Sequence, residues 1–406
     1  MIIEKLNGLP LALTQAGIYL RQTNMAALDY VTHYDSTWTD LMKKQGRFPL
    51  QEYADRSVLT TWTISYEQVR SQSEAAAGLL RLWGFLDCGD LWYKLIASVS
   101  RRRGDIETPD WLQRLAESEL DFLGALQVLS SYSLVDAKET SSHSIHSVLH
   151  KWCYQLAEGS ERRVLSWLAA CIVASSVPAD TESEYWKLRK RLFPHGNRVC
   201  RWVDEHLEQS HGANGWALPP WIFFKLGVLY ADQGKLDEAE KMYVRTLTEC
   251  EKAPDVEYII TLDTFNNLGR VYFDQNKLDK AEKIYQRVLI GTEKIVDAEH
   301  ISTLNTVDNL GSVYRRQGKL DEAEKMYQRA RIGKEKALGA EHISTLNTIQ
   351  DLGTVYLAQS KLAEAEKMYS QALTGFQKSL GSSHEKCRHI QEALRTLRSA
   401  QGMIIY

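Results

Sequence analysis

The chain has 406 residues, 44% of them hydrophobic and 25% charged, with a net charge of −3. That length exceeds a single core, and the ordinary composition argues against a long disordered tail. The near-balanced charge excludes a global basic field that would draw nucleic acid or anionic lipid. The first predicted element is a helix opened by Gly8-Leu9-Pro10-Leu11-Ala12-Leu13 and continuing to Leu20. Glu4 and Lys5 stand ahead of it, and this is not the layout of a signal peptide. An amphipathic helical region then runs from Val58 to Val99 and includes Trp62, Tyr66, Leu79, Leu80, Trp83 and Leu86. The basic run Arg101-Arg102-Arg103 is followed at once by Asp105 and Glu107, so it reads as a solvated loop; a nuclear signal or a DNA contact is the alternative.

A helix over Phe122–Ser130 precedes an apparent strand pair, Leu134–Ala137 and His143–His146, around the polar turn Lys138–Ser142. Helix Val148–Leu156 follows, and helices leading into such a hairpin suggest a winged-helix domain. His143, His146, His150 and Cys153 have spacings that raise zinc, but a zinc site needs side chains converging tetrahedrally. Two of these would lie on a strand and two on the next helix. The expectation is a wing strand and a surface helix, with no metal. The longest uncharged run, Val164 to Ala179, is shorter than the ~20 residues that span a bilayer and contains several serines, so a buried helix is expected there. The six cysteines are scattered without a CxxC pair, which favours reduced thiols and a cytoplasmic protein, with the nucleus as the alternative compartment.

A repeat then takes over. Leu226, Leu268, Leu310 and Leu352 recur every 42 residues, each followed by Gly and, three residues further on, by Tyr. Ala239, Ala281, Ala323 and Ala365 keep the spacing, as do Tyr243, Tyr285, Tyr327 and Tyr369. Each unit reads as two helices. Helix A is typified by Thr303 to Gln317, with Leu304, Val307, Leu310 and Tyr314 on one face; helix B runs from Leu320 past Arg331 and turns Ala323, Met326, Tyr327 and Ala330 inward. Gly234, Asn276, Gly318 and Ser360 break the helices, Gly and Asn being the residues that most readily take the left-handed conformation. Gly311 and Ala323 are small where A crosses B, and Tyr314 and Tyr327 fill the space between units. One pair cannot bury its apolar face alone, whereas a stack can.

The signature Gly269, Tyr272, Ala281 and Tyr285 resembles the tetratricopeptide repeat, over Trp221 to about Gly402. The long period, Asn266-Asn267-Leu268 and the linker Glu299-His300-Ile301-Ser302-Thr303-Leu304 resemble the kinesin light chain variety. That pattern has Pro after the His, where this chain has Ile301 and Ile343, so a looser turn is expected. Helix Glu385–Ala400 falls in the register of a fifth helix A and is read as a cap.

The order of features in the first half resembles the downstream part of the STAND ATPase module of NB-ARC/NACHT type. Gly8-Leu9-Pro10-Leu11 matches its GLPL motif, and Ile145-His146-Ser147 stands in the place of its MHD motif, with Ser147 replacing the aspartate. Tyr185–His206 looks like the helical connector that such proteins place before their repeats. The resemblance assigns nucleotide contacts to Pro10 and His146. No GxxxxGK[ST] loop occurs in the chain, so no ATPase activity is expected and ADP would bind only if the missing part were supplied. The chain is then expected to begin in the middle of the module. Its expected divisions are a remnant helical subdomain (1–50), a winged-helix-like domain (51–158), a helical connector (159–220), four repeats (221–384) and a capping helix (385–406).

The fold class expected is mainly all-α, a solenoid of 42-residue helix pairs. Its function is expected to be protein–protein interaction as the sensor or scaffold of a STAND-type protein. A stand-alone adaptor resembling the kinesin light chain and a winged-helix DNA-binding regulator are the alternatives. In such arrays helices A line the concave groove, and by register Asn266, Asp308 and Gln350, then Arg270, Ser312 and Thr354, face it, with Phe273 and Arg315 a turn further on. A polar ladder of this kind suits an extended protein or peptide ligand. No membrane or nucleic-acid partner is expected, and oligomerisation only in a longer parent.

Overall fold

The computed structural model describes residues 2–6, 10–43, 56–102, 106–139, 141–203, 218–252, 258–295 and 297–404. The chain divides into two compact units, Met1–Gln233 and Gly234–Tyr406. The first contains α1 (Ile2–Lys5), α2 (Pro10–Thr23), α3 (Ala27–Lys43), α4 (Arg56–Gln72), α5 (Glu74–Trp83), α6 (Tyr93–Ala97), a 3-10 turn (Ser98–Arg102), α7 (Asp110–Glu117) and α8 (Glu119–Ser131). It continues through β1 (Asp136–Ala137), β2 (His143–Ser144), α9 (Ser147–Leu156), α10 (Gly159–Ser176), α11 (Tyr185–Trp202) and α12 (Pro220–Asp232).

Single capping residues separate several of these helices. Ser73 ends α4 and caps α5 by accepting from the Ala76 N–H at 3.1 Å, and Ser118 does the same for α8 through Asp121. The core gathers Trp62, Trp83, Phe85, Phe122, Tyr132 and Trp152, all fully buried. The run from Val164 lies on α10 up to Ser176, and the helix buries Leu168, Ile172 and Val173 as expected of a core helix. Among the described residues no helix is long and apolar enough to cross a membrane. All six cysteines are free thiols.

The predicted hairpin forms, but its paired part is shorter. Asp136 faces Ser144 and Ala137 faces His143, while the Ile145 N–H turns away to the Cys88 carbonyl at 2.9 Å. Leu91 adds a bridge to His143. The helix that follows is not a surface helix. α9 buries Leu149, His150, Trp152 and Cys153, and the His150 Nε2 lies 2.9 Å from the carbonyls of both Trp83 and Leu86. Trp83 is the last residue of α5, and Leu86 lies in the turn that follows it. His150 is therefore a buried tie, and burial pushes its pKa down. Among the described residues no group of three or more His, Cys, Asp or Glu stands close enough to hold a metal.

In α11, Arg189 is nearly fully buried yet satisfied. It donates to the Pro178 carbonyl and to Asp232 at 2.7 Å each, and also pairs with Asp180. A buried guanidinium is tolerated only with such a full set of acceptors.

The second unit contains α13 (Leu236–Lys252), α14 (Tyr258–Asp274), α15 (Leu278–Ile295), α16 (Ile301–Arg316), α17 (Leu320–Leu338), α18 (Ile343–Ala358), α19 (Leu362–Leu380) and α20 (Glu385–Ile404). Helices α14/α15, α16/α17 and α18/α19 are the predicted A/B pairs. The residues predicted to break them, Asn276, Gly318 and Ser360, take φ of 60°, 78° and 61°. Ser360 adopts this left-handed turn although its side chain disfavours it.

Each crossing is built from a tyrosine over a glycine. A Cβ on Gly311 would stand 3.2 Å from the Tyr327 ring, and one on Gly353 3.1 Å from that of Tyr369. A second, reciprocal approach runs from helix A to helix B: a Cβ on Gly333 would meet Leu304 at 2.5 Å, and one on Gly375 would meet Leu346 closer still. Between pairs, Tyr327, Ile349, Leu352, Met368, Tyr369 and Phe376 belong to one continuous core that extends to Ile390, Leu394 and Leu397 of α20.

Side-chain bonds hold the linkers ahead of α16 and α18. His300 and His342 cap α16 and α18 by accepting the Ser302 and Ser344 N–H groups at 3.3 and 3.1 Å. Thr303 and Thr345 donate back to the carbonyls of Asp297 and Gly339. A side-chain ladder joins one pair to the next. Lys277–Glu240, Lys319–Glu282 and Lys361–Glu324 lie at 2.8, 2.9 and 2.8 Å, beside the amide bonds of Gln275, Gln317 and Gln359 to Asp237, Asp279 and Asp321. These lysines pull the carboxyl pKa values of Glu240, Glu282 and Glu324 down against the opposing effect of burial. Such pairs are individually weak at the surface, so the ladder sets register more than stability.

Candidate functional site

The helix-A faces of α14, α16 and α18 carry the polar residues picked out by register, and the structure separates them into two kinds. Ser312 and Thr354 are engaged with helix B. Ser312 and Tyr327 share a hydroxyl–hydroxyl bond of 2.8 Å, and the Tyr369 hydroxyl donates to Thr354 at 3.1 Å. The reason is geometric: the tyrosine ring lies flat on the glycine, so its hydroxyl emerges beside the next residue of helix A. Burial raises the pKa of both phenols. Ser312 and Thr354 therefore each already have a partner on helix B. Arg270, in the same column of α14, is exposed.

The other column, Asn266, Asp308 and Gln350, is half-buried throughout. Asn266 is half-buried and accepts from the Thr306 hydroxyl at 3.2 Å. Gln350 is half-buried on α18. Phe273 is half-buried under the Arg316 guanidinium, 4.5 Å from the ring centre, a cation–π contact that the sequence reading did not include. Arg315 is half-buried near the Tyr327 hydroxyl, and its Nε has no partner.

Asp308 is not a free groove carboxylate. Its Oδ2 accepts from the Lys334 ammonium at 2.9 Å, and the Lys334 side chain is only 2% exposed. Lys334 also donates to Thr348 at 3.1 Å, so one lysine of α17 ties α16 to α18. Asp308 Oδ1 is left buried without a partner, and burial raises the pKa of its carboxyl against the pull of Lys334. Asp351 lies beside this pair, and Lys386 of α20 donates to Asn347 at 2.5 Å. Lys334, Thr348, Asp351 and Lys386 were absent from the candidate list. A signal was available: at the 42-residue spacing the column of Lys334 reads Cys250, Thr292, Lys334, Phe376, with one charge in a small or apolar series.

The candidates of the first unit fall elsewhere. Gly8 and Leu9 lie outside the described residues, and Pro10 opens α2 with its side chain also outside them. His146 is exposed and caps α9, its Nδ1 accepting the Val148 N–H at 3.3 Å. The side chains of Arg101 and Arg102, and the whole of Arg103, lie outside the described residues.

The tetratricopeptide repeat family model matches residues 220–290 and 300–378. No curated protein sequence matches the chain. Among solved structures the chain is similar to the nearly identical TPR-like repeats of a candidate kinesin light chain from Podosopora anserina. That likeness has 24% identity, covers 45% of this chain and 86% of that one, and has a TM-score of 0.40. It is also similar to BtubC (BKLC) from P. vanneervenii, at 16% identity over 53% and 92% of the two chains with a TM-score of 0.38. YrrB, described as a TPR protein with an unusual peptide-binding site, is 16% identical over 52% and 92%, with a TM-score of 0.35. The helix pairs of the second unit are tetratricopeptide repeats, and the fold is all-α of solenoid type.

Proposed function

We propose that the repeat array is a protein-interaction module that takes an extended peptide along the helix-A faces of α14, α16 and α18. The observation that carries this reading is a row of polar side chains on successive helices A, exposed Arg270 with half-buried Asn266 on α14, half-buried Arg315 on α16 and half-buried Gln350 on α18. A ligand backbone offers both a donor and an acceptor to such a row. Because Lys334 neutralises Asp308, Arg270 and Arg315 leave the face net positive, which favours a ligand with an acidic group. Replacing Asn266, Arg270 and Arg315 together by Ala should leave the far-UV spectrum unchanged. It should abolish capture of the partner that the wild-type chain pulls from its own cell extract. If that partner is lost instead on changing Lys283, Arg287 and Lys325, which are exposed on helices B, the assignment is wrong.

A second reading places this module in a STAND-type protein, with the first unit as the winged-helix remainder of its switch. The order α5, the Leu91 bridge, α7, α8 and the β1–β2 hairpin supports a winged-helix arrangement. The nucleotide roles of Pro10 and His146 belong to this reading. Without a phosphate loop the chain should neither hydrolyse ATP nor bind ADP appreciably, and micromolar ADP affinity by calorimetry would refute that. A genomic phosphate loop in frame upstream of Met1 would support the STAND reading over that of an adaptor resembling the kinesin light chain.

A further inference from the structure

We propose that the outward face of α8 is a docking surface for a basic amphipathic helix of another protein, which packs an apolar side chain among Leu120, Leu123, Gly124 and Gln127. α8 lies on α5 and α7 and buries Phe122, Ala125, Leu126 and Leu129. On its other side Leu120 is 82% exposed and Leu123 46%, and Gly124 and Gln127 are exposed with them. These residues stand at i, i+3, i+4 and i+7, the outline of the hole that receives one side chain of a facing helix.

Gly124 is a second and independent observation. A glycine inside a helix weakens it relative to alanine, and elsewhere in this chain that loss goes with close packing. A Cβ on Gly78 would strike the Trp111 ring at 2.7 Å, and Gly269, Gly311, Gly333, Gly353 and Gly375 lie under a tyrosine or a leucine in the same way. A Cβ on Gly124 would meet nothing within 4 Å among the described residues. Gly17 of α2 is equally bare, but exposed Thr14 and Arg21 flank it rather than leucines. At Gly124 the missing side chain leaves one corner of the hole open to a large apolar group from outside.

Charge decides the kind of partner. α8 contains no Lys or Arg. Glu119 and Asp121 are exposed on either side of Leu120, each about 100° around the helix axis from it, and exposed Glu117 precedes them. The nearest basic residue along the chain is Arg114 of α7. Cations beside the apolar side chain of a partner helix would meet these carboxylates. A second copy of the chain would set the same acidic flank against itself, and duplex DNA needs cations that α8 lacks.

The test uses the full chain and two labelled three-heptad peptides, both with Leu at a and d, one with Lys and the other with Glu at e and g. In fluorescence anisotropy the Lys peptide should bind at least about tenfold more tightly than the Glu peptide. Leu120→Ser combined with Leu123→Ser should weaken its binding at least about tenfold, and Gly124→Leu should do the same by filling the hole. The groove variant with Asn266, Arg270 and Arg315 all changed to Ala should bind it as the wild type does, which separates this face from the groove. Gly124→Ala should raise the melting temperature of the free chain by about 2–4 °C, since its methyl group touches nothing and favours the helix. Failure of the Lys peptide to bind, or unchanged binding by the doubly substituted chain, overturns the proposal. So does a lowered melting temperature in Gly124→Ala, which would mean that the chain itself covers this face. Sedimentation showing a dimer that the double substitution dissolves would assign the face to a second copy, and duplex DNA displacing the peptide would assign it to nucleic acid; either result overturns it.

Discussion

Tyr327→Ala removes the ring that closes the α16/α17 crossing. The side chain is fully buried over Gly311 and belongs to the core that continues into α18 and α19. At ~25 cal/mol per Å² and roughly 150–200 Å² for a buried tyrosine, the transfer term is ~4–5 kcal/mol. Buried aromatic residues cut to Ala cost about 3–5 kcal/mol in practice, so we expect ~4 kcal/mol. The hydroxyl contributes only a part: Tyr327→Phe breaks the bond to Ser312 and should cost about 1 kcal/mol. Stacked repeats contact only their neighbours, so the loss should spread to α14/α15 and α18/α19 and fade beyond them. Urea unfolding followed by circular dichroism gives the magnitude, and hydrogen exchange resolved by helix gives the spread. A denaturation midpoint unchanged from wild type, or exchange altered equally in every helix of the chain, would refute the reasoning.

Asp351→Asn should change the pH dependence of stability. With the native pKa raised from 3.8 to about 6, the folded state holds the proton more tightly than the unfolded chain. The protonated carboxyl therefore favours folding below about pH 4, and that advantage is lost as pH rises to about 6. The change is up to ~3 kcal/mol for a shift of this size, in melts of wild type compared with Asp351→Asn. The lowered pKa values of Glu240, Glu282 and Glu324 act oppositely, adding stability that is lost on acidification, and they cancel in that comparison. A difference between the two proteins that does not vary with pH would argue against it. Gly375→Ala places a methyl group against Leu346 and should destabilise by about 1 kcal/mol, a packing cost of ~1–3 kcal/mol offset by better helix propensity. A raised melting temperature would show that this approach is not tight.

The helix pairs were legible because a fixed period exposes both the residues that repeat and the turns between them. Asn276, Gly318 and Ser360 take the backbone shape that their position in the period requires. The reciprocal approach was equally visible, since Gly291, Gly333 and Gly375 recur at the same spacing, but it lies on helix B beyond the family signature. The site was less legible. Reading each helix-A column separately treated Ser312, Thr354 and Asp308 as ligand contacts. Their partners, Tyr327, Tyr369 and Lys334, arrive from helix B, and only the packed pair reveals that those groups are already spent. In the first unit, His150 looked exposed because alternation in a short polar stretch does not show that α9 lies against the end of α5.

α20 carries Arg395 and Arg398 at the places where α18 carries Gly353 and Tyr356. Both arginine side chains are exposed, at 78% and 62%. A tyrosine arriving from another helix B, whether in the same chain or in a second copy, would meet a charged side chain where it needs bare backbone. Arg395 pairs with Glu392 on the same helix at 3.4 Å, and displacing it would disturb that pair. Every unit of such a stack is complementary to the next, and at this position α20 offers a charged side chain in place of the bare backbone that a tyrosine covers in α18.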